Sequence, residues 1–498
     1  MVIDEETLSR TVERFRERRI LLPTFAQMLD PRTVPEKIKR RLANVGLWDV
    51  DPVNLFRITW KNAPVERGGQ FNEGNWIEFP PELTGVETRI IGLVGKFFPT
   101  GAHKVGAAFG CLMPKLVSGQ FDPTRHKAVW PSTGNFCRGG AFDSALVGCT
   151  AVAILPEEMS RERFAWLKEI GAEVIPTPGC ESNVKEIYDK CWEIRRTRPD
   201  CVIFNQFEEF GNSVWHYHVT GKTIDEIFRG LTEPDEPSPG PSLQGRGNEL
   251  RLAGYVSATG SAGTIAAGDF LRTVHPQIRV VATEALQCPT LYQLGFGGHR
   301  IEGIGDKHVP WIHNVRNTDM VAAIDDEQCL ALFRLFNEPA GQTHLNHTVP
   351  DDLIQQLPLL GISGICNLVA AIKTAKYYDM DSRDVIFTCL TDSAGLYASR
   401  LQELSAEHGA YSAEQAAYDH ARYLDGIVTD HLRELTYHDR KALHNFKYFT
   451  WVEQQGRTAD ELRELWEPEY WERTFAQVDE WDAQIAAFNE RTGVLELI

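Results

Sequence analysis

Ala128-Val-Trp-Pro-Ser-Thr-Gly-Asn-Phe-Cys-Arg-Gly-Gly140 reads as the end of an apolar strand, a turn rich in hydroxyls and glycine, and the start of a helix. Such a turn gathers Ser and Thr hydroxyls and free backbone N–H groups at a positive helix end, which makes an anion cradle. Outward from it, short β-branched runs recur: Thr150-Ala-Val-Ala-Ile-Leu155, Glu173-Val-Ile175, Val202-Ile-Phe204, Leu252-Ala-Gly-Tyr-Val-Ser257, Val280-Val-Ala-Thr283 and Asp384-Val-Ile-Phe-Thr388. Between them, 159–170 and 181–197 carry helical spacing. Strand–helix alternation over about 55–405 predicts an α/β fold with mostly parallel sheets.

The flanks read differently. Residues 1–54 form an N-terminal arm that begins polar and helical. Residues 232–249 hold four prolines and three glycines, as an exposed insertion would. Charged helical sequence fills 406–498, where Thr458 and Glu461 are spaced as a capping box for a helix ending before Pro468. Trp451, Trp466, Trp471 and Trp481 give this extension apolar area for docking, within the chain or on another subunit.

The 498 residues are 43% hydrophobic and 24% charged, which excludes a disordered or fibrous chain. Acidic residues outnumber basic ones 69 to 51, a poor balance for general binding to nucleic acid or anionic membrane. The start, Met1-Val-Ile-Asp-Glu-Glu, has neither a basic nor an apolar leader segment, and no window suits a membrane helix. Ten scattered cysteines without a C-x-x-C pair suit reduced thiols in a cytoplasmic enzyme.

Three more segments carry chemistry. Phe98-Pro-Thr-Gly-Ala-His-Lys-Val-Gly-Ala-Ala-Phe-Gly110 delivers Lys104 to the start of a small-residue helix, where an amine has reason to lose its proton readily. Val256-Ser-Ala-Thr-Gly-Ser-Ala-Gly-Thr-Ile265 again follows a strand. Its glycines allow close approach to a phosphate, and Ser261 and Thr264 add donors. It lacks the G-x-G-x-x-G spacing and a Walker lysine, which disfavours dinucleotides and ATP. Thr388-Cys-Leu-Thr-Asp-Ser-Ala-Gly395 places Asp392 and Ser393 at a strand end, where α/β ligand crevices lie. Taken singly, each of these is also compatible with an ordinary turn or cap.

In this order the four segments resemble the fold-type-II pyridoxal-phosphate enzymes: cysteine synthases, cystathionine β-synthases and tryptophan synthase β-subunits. Gln206-Phe-Glu-Glu-Phe-Gly-Asn212, Ile301-Glu-Gly-Ile-Gly305 with Pro310, Gly361-Ile-Ser-Gly364 and the stretch 151–179 support the resemblance, which spans about 85–405. It implies two three-layer α/β domains with pyridoxal 5'-phosphate between them. The smaller, about 100–220, would move over an amino-acid substrate, and the chain would form a homodimer.

The resemblance also implies roles. Lys104 would carry the cofactor as an imine and shuttle the α-proton. Gly260, Ser261, Ala262, Gly263 and Thr264 would hold its phosphate, Asn135 its ring hydroxyl, and Ser393 its pyridine nitrogen. Ser132, Thr133, Gly134, Asn135 and Gln206 would bind the substrate. A neutral hydroxyl at the pyridine nitrogen favours loss of a β-leaving group over racemisation or transamination. The implied reaction is β-replacement on an L-serine-type amino acid through an aminoacrylate, with a thiol or sulfide acceptor. The alternatives are β-elimination to keto acid and ammonia, and a non-catalytic ligand-binding relative.

Several features depart from the family pattern. Phe136 and Cys137 stand where cysteine synthases have small or polar residues, and a ring there would narrow the pocket. Cys137 beside Arg138 reads either as a thiol of lowered pKa or as an inert buried one. No metal site is expected: His216 with His218, and His344 with His347, lack a third ligand at a recognised spacing.

Overall fold

The computed structural model describes residues 4–132, 134–180, 182–232 and 249–498. Two sheets organise the chain. Their strands are β1 (Trp76–Phe79), β2 (Arg89–Val94), β3 (Lys127–Pro131), β4 (Ala151–Pro156), β5 (Glu173–Thr177), β6 (Cys201–Ile203), β7 (Arg251–Ala258), β8 (Arg279–Ala285), β9 (Met320–Ile324), β10 (Asp384–Leu390) and β11 (Leu432–Glu434).

The larger sheet has the order β1-β2-β10-β7-β8-β9-β11 and the smaller β5-β4-β3-β6. Every pairing is parallel except at the two edges of the larger sheet, where β1 and β11 run antiparallel. The fold is therefore the two α/β domains expected, with helices covering the sheets. Parallel strands covered on both faces are buried and mainly apolar: every residue of β4 and of β10 is buried. The helix Ile362–Tyr377 lies in the core against the larger sheet and is buried over most of its length.

The extension from 406 docks on its own chain. Its capping box forms as expected, Thr458 and Glu461 starting the helix Ala459–Glu464. The long helix Pro468–Thr492 packs on the helices Glu5–Arg18 and Lys104–Val117. Phe488 meets Phe15 edge-on at 5.0 Å, Phe475 stacks on Tyr217 at 4.0 Å, and Trp481 lies 5.8 Å from Phe25. Among the described residues no single helix is long and apolar enough to cross a membrane.

Candidate active site

The parallel strands place the chemistry. The loop after β2 leads to Lys104, that after β3 to Asn135, that after β6 to Gln206, that after β7 to residues 260–264, and that after β10 to Ser393. All five follow carboxyl ends of strands, where open α/β sheets leave their crevice.

Lys104 begins the helix Lys104–Val117 and is 9% exposed. Its Nζ donates to Gln206 Oε1 at 3.4 Å. The turn before it is unusual. Thr100 takes a left-handed backbone (φ 66°), and its buried hydroxyl has no hydrogen-bond partner. His103 anchors the helix start to the end of β10: its N–H donates to Thr391 O at 3.3 Å, and its Nε2 pairs with Thr391 Oγ1 at 3.3 Å. Burial and the neighbouring Lys104 push the His103 imidazole down to about 3, so it is neutral.

The cradle after β7 is tight. Ala262 sits at φ 61°, a left-handed conformation of the kind that turns successive N–H groups to one side. A β-carbon on Gly260 would come within 2.7 Å of Gly303 O, and one on Gly263 would collide with Asn212. Tyr255 in β7 donates its hydroxyl to Thr264 O at 2.9 Å and pins the far end of the loop.

Asn135 opens the helix Asn135–Val147 and donates its amide to Asp392 Oδ2 at 2.6 Å, while its Oδ1 is buried without a partner. Ser132 Oγ accepts from the Gly134 N–H at 3.0 Å, which shapes the loop between them. Thr133 lies outside the described residues. Ser393 is 5% exposed at the start of the turn Ala394–Leu396. Direct bonds join Lys104 to Gln206 and Asn135 to Asp392, and the bonds of His103 to Thr391 bring together the residues next to Lys104 and Asp392.

A buried polar cluster beside them escaped the sequence reading. Arg163, on the helix Arg161–Glu169, pairs with Glu302, donates to the Tyr397 hydroxyl at 3.0 Å, and lies 3.7 Å from Asp392. Tyr397 in turn donates to Asp392 Oδ2 at 2.7 Å. Burial raises the Asp392 carboxyl, and Arg163, Tyr397 and Asn135 oppose that rise. Residues 158–163 lie between β4 and β5 of the smaller sheet, whereas 302 lies between β8 and β9, and 392–400 after β10, of the larger. Arg400 strengthens the join, donating to Glu302 Oε1 and to Glu158 O, each at 2.5 Å. Glu302 and Asp392 lie in segments singled out by their sequence; Arg163 is one charged residue on a charged helix and carries no comparable signal.

Two open readings are resolved. Cys137 is fully buried, and burial pushes its thiol up to about 12, so it is not a reactive thiolate. The Phe136 ring is buried in the core 5.4 Å from Trp130, edge-on, which accounts for a large residue at that position. The histidines of the two weighed pairs have protein partners: His218 bonds Phe475 O at 2.8 Å, His216 bonds Thr220, and His344 pairs with His420.

The donors present fit a phosphorylated aldehyde cofactor. A turn closed to an added β-carbon at Gly260 and Gly263 suits close approach of a phosphate, and the buried Lys104 supplies an amine for the aldehyde. The buried Asn135 Oδ1 and Thr100 Oγ1, without hydrogen-bond partners in the protein, leave polar capacity for a bound group.

Comparison with known proteins agrees. The family model described as pyridoxal-phosphate dependent enzyme matches residues 96–343. A probable cysteine synthase of Bacillus subtilis is 28% identical over 300 residues, covering 60% of this chain and 84% of the relative. Cystathionine beta-synthase of Saccharomyces cerevisiae is 25% identical over 255 residues, covering 50% of this chain and 47% of that one. The structure of a hydrogen sulfide-producing enzyme from Fusobacterium nucleatum superimposes with TM-score 0.53 at 21% identity, over 65% of this chain and 95% of that one.

Proposed function

Because the chain belongs to the pyridoxal-phosphate-dependent enzyme family, with cysteine synthases and cystathionine β-synthases among its relatives, we propose that it performs β-replacement on an L-serine-type amino acid bearing a β-leaving group, with a thiol or sulfide as acceptor. One observation supports this most. Five loops at strand carboxyl ends carry Lys104 with its bond to Gln206, the tight 260–264 turn, and Asn135 with its bond to Asp392.

Pyridoxal 5'-phosphate, when bound, supplies the electron sink that makes the substrate α-proton acidic. The chain supplies the rest. Lys104 holds the cofactor and carries the α-proton on Nζ, kept in place by Gln206. Residues 260–264 hold the phosphate, and Asn135 has a second amide hydrogen for the ring hydroxyl. Ser132, Thr133 and Gly134, with Gln206, orient the substrate carboxylate. Ser393 meets the pyridine nitrogen with a neutral hydroxyl, which leaves the ring a weaker sink and favours loss of the β-group. The domain join through Arg163, Glu302 and Arg400 closes the crevice and excludes water. A homodimer belongs to the same proposal and is checked by light scattering.

The test is product analysis. Protein supplied with pyridoxal phosphate is incubated with O-acetyl-L-serine or O-phospho-L-serine, with and without sulfide. A new sulfur amino acid, absent in Lys104→Ala, is expected. Keto acid and ammonia alone would replace this reading with β-elimination. No turnover in any combination, with cofactor bound, would leave the reading without its reaction.

A further inference from the structure

Asn212 has no role in the account so far, yet it touches both halves of the site. It stands on the helix Phe210–Trp215, just after the Gln206 loop, and is 1% exposed. Its Nδ2 donates to Gln206 O at 3.0 Å and to Ser261 Oγ at 3.0 Å. Its Oδ1 is buried without a partner and lies where a β-carbon on Gly263 would fall. Gln206, held by the first bond, is the residue that reaches Lys104 Nζ.

The direction of the second bond matters. A serine hydroxyl has one hydrogen to give and two lone pairs to receive. An amide N–H gives only. With Asn212 donating to it, Ser261 Oγ spends a lone pair on the amide and keeps its own hydrogen for another acceptor. An anion in the 260–264 cradle needs donors, and this arrangement turns the hydroxyl into one. We propose that Asn212 is a positioning residue that sets the polarity of the phosphate cradle through Ser261 and ties it to the Gln206 segment. The inference rests on the reading that residues 260–264 hold the cofactor phosphate.

Asparagine is suited to this role and aspartate is not. A carboxylate of the same shape would accept the Ser261 hydrogen, turn the hydroxyl's lone pairs toward the cradle, and add a negative charge beside it.

The test compares pyridoxal 5'-phosphate with pyridoxal, which has the same ring and aldehyde but no phosphate. Apo-protein is titrated with each, and binding is followed by equilibrium dialysis and absorbance. In Asn212→Asp the phosphorylated form should bind at least about tenfold more weakly at pH 8, the scale of one hydrogen bond to a charged group. Pyridoxal affinity should stay within about twofold. A second measurement uses Asn212→Ala, Ser261→Ala and the double variant. If Asn212 acts through Ser261, the double variant loses little more than either single one.

Equal weakening of both ligands would mean a merely structural role and overturn the proposal. So would unchanged phosphate-ligand affinity in Asn212→Asp, or additive losses in the double variant. Wild-type protein that binds neither ligand would instead bring down the functional reading beneath it, an outcome distinct from these.

Discussion

At the scale of single residues, the loop before Asn135 is fixed by what lies behind it. Gly134 has φ 151°, and a β-carbon there would come within 2.7 Å of Arg163 Nε. Gly134→Ala therefore meets backbone strain and a fully buried guanidinium that is itself held by Glu302 and Tyr397. The loop should shift and Asn135 with it. We expect kcat/KM to fall about tenfold or more with the fold retained by circular dichroism; unchanged kinetics would show that the loop relaxes freely. Arg163 gives a second prediction. Arg163→Met leaves Glu302 and Asp392 buried with one partner fewer each and should cost about 3 kcal/mol by urea unfolding. Adding Glu302→Leu should recover part of that loss, because the buried charge goes with its partner. A double variant as unstable as the sum of the two would contradict the pairing.

At the scale of elements, the sequence is most informative where a β-branched run alternates with an amphipathic stretch. β4, β5, β7, β8 and β10 fall on the runs expected from their β-branched residues, and the helices Arg161–Glu169 and Val184–Thr197 lie within the expected amphipathic stretches. β2 and β9 are apolar strands outside the expected runs, and β1 and β11 were not legible. The latter two are four and three residues long, and each exists because an edge of the larger sheet offers it a partner. That is a tertiary cause with no local signature. The candidate site divides the same way. Its turns announce themselves through glycine and hydroxyl residues, whereas Arg163 and the bonds of Asn212 depend on what the fold brings alongside.

His218 shows how an element is held by a residue whose sequence context suggested only a weak metal pair. Its Nε2 donates to Phe475 O, on the helix Pro468–Thr492. Burial is the main influence on its imidazole and pushes it down to about 4. Because the folded value lies below that of the free side chain, the neutral ring contributes full stability above about pH 6.5. That contribution is lost as pH falls from there toward 4. His218→Gln keeps a donor and does not titrate. The stability of the wild type relative to this variant should be constant above pH 6.5 and decline below it by about 1.4 kcal/mol per pH unit. Parallel pH curves for the two proteins would refute the assignment.

At the scale of the whole molecule, the terminal segments are continuous with the core behind the helix that Lys104 begins. Asp482 caps the helix Phe25–Leu29, accepting from the Phe25 N–H at 2.6 Å and the Ala26 N–H at 3.0 Å. Asn489 bonds both the N–H and the carbonyl of Leu22. Phe25, held between these segments, lies 5.9 Å from Phe109 on the helix that Lys104 begins. On the other side, Trp451 donates to Val309 O at 2.8 Å, and the buried Lys447 donates to Trp311 O and His313 O at 2.9 and 2.7 Å. One apolar cluster contains Phe15, Phe25, Phe109, Trp130, Tyr255, Trp451, Trp481 and Phe488. The extension therefore shares one core with the helix Lys104–Val117, and it should not melt by itself. In urea, tryptophan fluorescence from this aromatic cluster and the visible absorbance of bound cofactor should change in one coincident transition. Asp482→Ala, which removes the acceptor of the Phe25 and Ala26 N–H groups, should shift both signals together to lower urea by the equivalent of about 1–2 kcal/mol. A fluorescence change that precedes loss of the cofactor signal would mean that the extension is a separately folding attachment. Its contacts with the lysine helix would then be docking between independent units instead of shared core.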